Sequence, residues 1–96
     1  MKYREFRDSI KKKWHVYLLE CRDGSYYCGI TNNLARRVQE HNDGKGAKYT
    51  RGRGPVKLLA SAPTDSRSSA QILEAAVKKK RKADKLAFLK SQPNAR

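Results

Sequence analysis

The sequence of 96 residues has few cysteines, few acidic residues and no long apolar run. Two cysteines are too few for a disulfide framework, and the six residues between Cys21 and Cys28 do not match the spacing of a zinc motif. No segment approaches the ~20 apolar residues of a membrane span, and no signal-peptide pattern occurs. We therefore expect a cytoplasmic protein of one small domain with reduced cysteines.

Acidic residues number nine against 23 lysines and arginines, which gives a net charge of +14. So large an excess on a small body favours a polyanionic partner, and nucleic acid is the expected one. A membrane partner is not expected, because no predicted helix combines a basic face with exposed Trp, Phe and Leu. Charge alone does not separate DNA from RNA. We expect the protein to act as a monomer.

The first half of the chain predicts a β-hairpin followed by a helix. Two runs rich in β-branched and aromatic residues, Trp14–Cys21 and Ser25–Ile30, flank the turn signal Asp23-Gly24. Asparagine and threonine side chains that can cap a helix follow, and Leu34 and Val38 then recur at helical spacing. The helix is predicted from residue 34 to about residue 42.

The register of the hairpin decides whether Tyr17 and Tyr27 share a face of the sheet. A two-residue loop at Asp23-Gly24 makes the numbers of paired residues sum to 47 and places the two tyrosines on opposite faces. A three-residue loop over residues 23–25 makes the sum 48 and places both on one face. We predict the second register or an equivalent bulge.

The rest of the chain predicts a third strand, in which Val56, Leu58 and Ala60 face inward, and two C-terminal helices. These segments are a strand over Val56–Ala62, a helix with the apolar stripe Ala70, Leu73, Ala76 and Val77, and a short helix over Lys85–Lys90. Together they predict an α/β fold with a small three-stranded, mainly antiparallel sheet flanked by helices. Residues 1–13 are predicted to be a basic arm, residues 14–90 the folded domain and residues 91–96 a flexible tail.

The stretch Gly44–Lys57, which we call the basic loop, has no acidic residue and contains four glycines. Glycine lets backbone N–H groups approach an anion, lysine and arginine neutralise phosphates, and tyrosine can stack on a base. A solvated loop without a ligand is the simpler interpretation. The candidates for binding nucleic acid are Lys45, Lys48, Tyr49, Arg51 and Arg53.

Several motifs follow one another in a fixed order between Trp14 and Leu89. Val16-Tyr17 is followed after nine residues by Tyr27-Cys28-Gly29, with an arginine ten residues and a histidine fourteen residues after Tyr27. This order resembles that of the GIY-YIG nuclease family. The sequence GKGAKYTRGRGP, over residues 44–55, is similar to the small stand-alone, single-domain bacterial branch of that family (UPF0213-like). His15 stands where the family's first motif has a leading glycine.

This resemblance implies a metal-dependent endonuclease that hydrolyses phosphodiester bonds in DNA with little sequence specificity. The catalytic residues that it implies are Tyr17, Tyr27, Arg37, His41 and Glu74. Glu74 would bind one Mg²⁺ or Mn²⁺, Tyr17 would accept a proton from the attacking water, and Arg37 would stabilise the phosphoryl oxygens. Because a free phenol titrates near pH 10, this role requires the metal and nearby arginine and lysine residues to lower the pKa of Tyr17.

Two other interpretations fit parts of the sequence. Helix spacing alone makes Glu74 an ordinary i,i+4 partner of Lys78, without any metal. A non-catalytic nucleic-acid-binding module that retains the nuclease fold is therefore the alternative function, and the absence of an accessory binding domain favours it. A ribosome-associated basic protein would explain the charge but not the set of tyrosines, arginine, histidine and glutamate.

Overall fold

The structure of the protein, a computed structural model, describes residues 13–96. Nearly all of the basic arm predicted for residues 1–13 lies outside the described residues. The elements are β1 (Trp14–Glu20), β2 (Tyr26–Thr31), α1 (Leu34–Asn42), β3 (Lys57–Thr64), α2 (Arg67–Lys79) and α3 (Lys82–Lys90), with a 3-10 turn at Lys48–Thr50.

The three strands form one antiparallel sheet in the order β2-β1-β3, with the first strand at the centre. Helix α1 covers one face, where Leu34 and Val38 pack near the buried Leu19. Helices α2 and α3 cover the other face, where Val77 and Leu89 are fully buried. The predicted α/β fold is therefore confirmed. Among the described residues, no helix combines the length and the apolar composition needed to cross a bilayer.

The hairpin closes with a three-residue loop over Arg22–Gly24, one residue earlier than predicted. Cys21 donates its backbone N–H to Ser25 at 2.8 Å, and Gly24 donates its own to Cys21 at 2.9 Å. The numbers of paired residues therefore sum to 46, and the predicted sum of 48 is wrong. The cause is Gly24 at φ +85°, because a type I turn followed by a left-handed glycine closes such a loop.

Strand β3 is longer than predicted and contains an irregularity. Ala60 pairs with Leu18, but Leu58 pairs with Leu19, so the register shifts between these two pairs. The extra residue in β3 reverses which side chains of the strand point to each face of the sheet. Leu58 is therefore 40% exposed instead of facing inward. The strand also continues through Pro63, which an edge strand tolerates because its N–H side needs no partner.

Local signals account for the helix boundaries. The Asn33 side chain accepts the backbone N–H of Arg36 at 3.2 Å and begins α1, which ends at Asn42 as predicted. Ser66 caps α2 in the same way. Between α2 and α3, the Lys85 ammonium donates to three backbone carbonyl groups at the end of α2, at 2.8–3.2 Å. These bonds satisfy carbonyl oxygens that a helix end leaves free.

The end of the chain turns back onto β3. Arg96 and Ser61 exchange two backbone hydrogen bonds of 2.8 Å each, and Ala95 packs against the core. These contacts fall in the segment predicted to be a flexible tail, and the division of the chain into arm, domain and tail stays a prediction. Cys21 and Cys28 are both free and buried.

The irregularity in β3 leads to a test of the packing. We expect Leu89→Ala to lower the free energy of unfolding by about 2–5 kcal/mol, because it leaves a cavity in the core. Leu58→Ala is the matched control and is expected to have a much smaller effect, since that side chain is already partly in water. Urea unfolding of both variants measures the difference. Equal losses would show that Leu58 faces the core.

Candidate active site

Tyr17 and Tyr27 of the hairpin lie on the face of the sheet that α1 covers. Tyr17 pairs with Gly29 and Leu19 pairs with Tyr27, so the even register places both phenol rings on one side. Their ring centroids are 6.3 Å apart with an interplanar angle of 47°. The prediction that both tyrosines share a face is confirmed, although it was made from a different register.

A chain of buried hydrogen bonds joins Tyr17 to helix α1 and the basic loop. The phenol oxygen of Tyr17 is 2.8 Å from Nε2 of His41. On the other side of the ring, Nδ1 is 2.7 Å from Oγ1 of Thr50, which donates to the carbonyl oxygen of Ala47 at 2.9 Å. Tyr17, His41 and Thr50 are each 1% exposed. We call this series of groups the buried relay.

Two glycines make room for the buried relay. A Cβ atom on Gly29 would lie 2.5 Å from the phenol oxygen of Tyr17, and one on Gly46 would overlap the His41 ring. Any larger residue at either position would force the phenol or the imidazole out of place. Gly29 of the Tyr27-Cys28-Gly29 motif is therefore explained by the close approach of its backbone in β2 to the phenol of Tyr17 in β1.

Burial dominates the titration of the site. It raises the pKa of Tyr17 to about 12, and the nearby Arg37 guanidinium opposes this shift without cancelling it. Arg37 alone therefore does not bring the pKa of Tyr17 below that of a free phenol, and lowering by a bound metal together with nearby cations stays a prediction. Burial also lowers the pKa of His41, with Arg37 lowering it further and Glu40 opposing. His41 is accordingly neutral at pH 7 and able to accept a proton.

Arg37 and His41 project from α1 toward the same phenol, as their spacing predicts. The Arg37 Nη1 atom donates to Glu40 at 3.0 Å, and about a third of the arginine side chain is exposed. Burial acts to lower the pKa of this guanidinium, but its bonds to Glu40 and Tyr17 raise it on balance. Arg37 is thus a fixed positive charge between the buried relay and solvent.

Glu74 lies on the other face of the sheet from Tyr17 and Tyr27. It lies on α2 with 22% of its side chain exposed, and its carboxylate is 3.3 Å from the ammonium group of Lys78. Its charge contributes to raising the pKa of Cys28 after burial, so it lies close to edge strand β2. Among the described residues, no group of three or more histidine, cysteine, aspartate or glutamate side chains could hold a metal.

A cleft of about 180 Å³ at the edge of β2 connects the two faces. The side chains that line it include Tyr27 and Tyr49 from the side of the buried relay and Lys78 from α2. The structure thus brings together Tyr17, Tyr27, Arg37 and His41 on one face. It places Glu74, through its partner Lys78, at the opposite side of the same edge.

Contacts with the hairpin fix the basic loop over the site. Arg53 bonds to Asp23 at 3.1 Å and to the carbonyl oxygen of Tyr49 at 2.6 Å, and its guanidinium carbon lies 4.2 Å from the centre of the Tyr49 ring. Tyr49 stacks on Tyr27, with centroids 6.0 Å apart. Arg53 therefore has a structural role in the loop, and Tyr49 carries the stack outward to a 41% exposed position.

The other basic residues predicted to bind nucleic acid face solvent. Their side chains form no ion pair or hydrogen bond with another described residue, and they are Lys45, Lys48 and Arg51. The participation of Lys45, Lys48 and Arg51 in nucleic-acid binding stays a prediction. On the side of α1, the side chain of Asn42 accepts the backbone N–H of Val56 at 2.6 Å and closes the far end of the basic loop.

The sequence did not indicate the roles of Thr50 and Asn42 or the bond from Arg53 to Asp23. Each of these three hydrogen bonds joins residues at least nine positions apart, so no local pattern marks it. The available signal for Thr50 is weak. It is a hydroxyl residue within an otherwise glycine-rich and basic segment, and only the fold brings it against His41.

Comparison with known proteins now identifies the class. The family model described as the GIY-YIG catalytic domain matches residues 13–87. The chain therefore belongs to the GIY-YIG catalytic domain family, and the resemblance seen in the motifs is confirmed.

Its relatives are named UPF0213 proteins. One from Xanthomonas axonopodis pv. citri (strain 306), XAC3202, is 56% identical over 82 residues, which cover 85% of this chain and 80% of the relative. One from Streptococcus pneumoniae serotype 4 is 51% identical over 77 residues, which cover 80% of this chain and 78% of the relative. These matches support the single-domain bacterial branch of the family.

Two solution NMR structures are similar to this one. The protein EF2693 from E. faecalis is 43% identical with a TM-score of 0.59, covering 84% of this chain and 86% of its own. The UPF0213 protein BH0048 from Bacillus halodurans is 46% identical with a TM-score of 0.51, covering 84% of this chain and 88% of its own.

The lowered pKa of His41 predicts how stability depends on pH. Below pH 6.5 the unfolded chain binds a proton at this residue more readily than the folded protein. The free energy of unfolding is therefore highest above that pH and falls as the pH drops through the lowered pKa. His15, whose pKa is lowered by burial and by Lys13, acts in the same direction.

Urea unfolding at about pH 7.5 and about pH 5 measures this fall. We expect His41→Asn to reduce it and His15→Asn to reduce it by a separate amount. Stability that does not change over this interval in the unaltered protein would contradict the assignment of His41 as a buried neutral imidazole.

Proposed function

We propose that the protein is a metal-dependent endonuclease that hydrolyses phosphodiester bonds in DNA with little sequence specificity. The observation that supports this most is the buried relay, which ends at a phenol beside Tyr27 and Arg37. Burying a phenol, an imidazole and a hydroxyl is costly unless all are paired, and binding nucleic acid by charge needs none of them. A proton-transfer path explains their arrangement.

The proposed path starts at the attacking water. Tyr27, which lines the open cleft, holds the water, and Tyr17 accepts its proton. A phenolate would form only near pH 12, so Tyr17 passes its own proton to Nε2 of His41 as it receives the proton of the water. In this way no phenolate has to persist at neutral pH.

Arg37 is proposed to stabilise the charge on the phosphoryl oxygens. A guanidinium donates two parallel hydrogen bonds, which suits the geometry of a phosphate better than the point charge of lysine. The bond from Arg37 to Glu40 leaves further N–H groups of the guanidinium free to meet the substrate and restricts the motion of the side chain.

Glu74 is proposed to hold the divalent metal. A partly exposed carboxylate fits Mg²⁺ or Mn²⁺, since Mg²⁺ is commonly bound by one or two carboxylates together with water and substrate phosphate. Its ion-pair partner Lys78 is 54% exposed and pairs weakly, so Glu74 can exchange that partner. When bound, the metal would neutralise the scissile phosphate and stabilise the leaving 3′ oxygen.

The proposal includes DNA as the partner, with Lys45, Lys48 and Arg51 contacting phosphates and Tyr49 and Arg53 shaping the entrance to the cleft. A monomer in the cytoplasm accords with this function and with the free, buried cysteines. The second candidate is a non-catalytic nucleic-acid-binding module. One observation favours it: the pKa of Tyr17 is raised to about 12, which keeps the phenol protonated at neutral pH and opposes formation of the phenolate that would accept a proton.

Cleavage of labelled single-stranded, duplex and branched DNA with Mg²⁺ or Mn²⁺ distinguishes the two candidates. We expect the protein to cut at least one of these substrates. We expect Glu74→Gln and Tyr17→Phe each to lower the rate by about 10²–10⁴-fold, because one loses the metal ligand and the other the proton acceptor.

Glu20→Gln is the matched control, since it neutralises a glutamate of the hairpin outside the site. Its rate should equal that of the unaltered protein. If all variants bind DNA equally and none cuts with either metal, the binding module is the correct function.

Binding of DNA should depend strongly on salt. We expect Arg51→Gln and Lys48→Gln each to reduce the slope of log affinity against log salt concentration by about one. Arg53→Gln should weaken binding for two reasons, because it removes a positive charge and also releases the basic loop from Asp23. Fluorescence anisotropy over a salt series measures the slopes. Unchanged slopes in both single variants would exclude the exposed part of the basic loop as the phosphate contact.

A further inference from the structure

We propose that Thr50 is a positioning residue of this site, which holds His41 in the tautomer whose Nε2 accepts the proton of Tyr17. The inference deepens the proposed nuclease function and rests on it for its catalytic meaning. The hydrogen-bond geometry that supports it is independent of any activity.

The number of available hydrogens fixes the direction of the buried relay. The single hydroxyl hydrogen of Thr50 points to the carbonyl oxygen of Ala47, which can only accept. The oxygen of Thr50 must therefore accept the hydrogen of Nδ1 of His41. A neutral imidazole carries one hydrogen, so Nε2 is left as an acceptor for the phenol of Tyr17.

The opposite direction leaves the phenol hydrogen unpaired. If Thr50 donated to Nδ1, the carbonyl of Ala47 would keep only its bond from the backbone N–H of Thr50, and Nε2 would carry a hydrogen toward Tyr17. The phenol hydrogen would then have no acceptor among the described residues within a site that is 1% exposed. An unpaired buried polar group costs about 1–3 kcal/mol, so the first direction is preferred.

The turn around Thr50 keeps the hydroxyl in place. The backbone N–H of Thr50 also bonds to the carbonyl of Ala47, at 3.1 Å, so the same acceptor holds the main chain and the side chain. The N–H of Arg53 in turn bonds to the carbonyl of Thr50 at 3.1 Å. A β-branched side chain adds its own rotamer restriction. The oxygen that meets His41 is therefore set by the fold of the basic loop.

Among the described groups around His41, only Thr50 bonds to Nδ1. Arg37 and Glu40 on α1 affect its charge, and the rings of Tyr17 and Tyr27 pack against it from the sheet. None of them bonds to Nδ1. Without the oxygen of Thr50, the hydrogen can move to Nε2, and Tyr17 can no longer pass its proton to the ring. The expected consequence is a lower kcat with little change in KM.

The test compares Thr50→Val, which removes the hydroxyl at nearly constant shape, with Thr50→Ser, which keeps it. Thr64→Val is the matched control, because Thr64 bonds to the carbonyl oxygen of Trp14 at 3.0 Å, away from the site. ¹⁵N NMR of the imidazole nitrogens reports the tautomer of His41 directly at neutral pH. Cleavage kinetics over a pH series, with metal, report its effect.

We expect hydrogen on Nδ1 of His41 in the unaltered protein and in the Thr50→Ser and Thr64→Val variants. In Thr50→Val we expect hydrogen to appear on Nε2, with kcat lowered about 10–100-fold, the usual effect of removing the partner that orients a functional histidine. The Thr50→Ser variant should restore both the NMR signature and the rate. The proton on Nδ1 of His41, which is hydrogen-bonded to the oxygen of Thr50, should also be observable by NMR.

The unaltered protein alone can overturn the proposal: hydrogen on Nε2 of its His41 would exclude the assigned direction, even if Thr50→Val does not fold. An unchanged tautomer in folded Thr50→Val would exclude Thr50 as the group that selects it. If the tautomer shifts as expected but no protein cleaves DNA, the positioning role is supported and the nuclease function is rejected.

Discussion

The packing between the sheet and α1 depends on the hydrogen bonds that run from Tyr17 through His41 to Thr50. They lie among apolar side chains between the sheet and α1, where an unpaired polar group is expensive and a paired network becomes rigid. Gly29 and Gly46 provide the space for these bonds. The same atoms therefore stabilise this face of the sheet and form the proposed proton path, so function and packing are not separable here.

Local signals were sufficient for most of the fold. The turn at Asp23-Gly24 and the cap at Asn33 act within a few residues, and the hairpin and α1 were predicted almost to their ends. Leu58 was assigned to the wrong face because the shift in β3 arises from pairing with β1, which the sequence of β3 does not encode. Alternation alone assumes a regular strand.

The candidate site was only partly predictable for the same reason. Spacing along one helix placed Arg37 and His41 together, and motif resemblance supplied the two tyrosines. The resemblance could not reveal that burial raises the pKa of Tyr17 or that Glu74 lies on the opposite face of the sheet, close to β2. Thr50 depends on a contact between the basic loop and α1, which exists only in the folded protein. Long-range contacts decide what such residues do.

The position of β2 at the edge of the sheet has a consequence for assembly. The cleft lined by Tyr27, Tyr49 and Lys78 is open because no further strand lies beside β2 among the described residues. Adding a strand from another copy would cover the cleft, so the protein has to keep an open edge that invites self-association. Lysines beside the edge, including Lys78 and Lys82, together with the net charge of +14, make copies repel one another. The charge that attracts a polyanion thus also protects the open strand from aggregation.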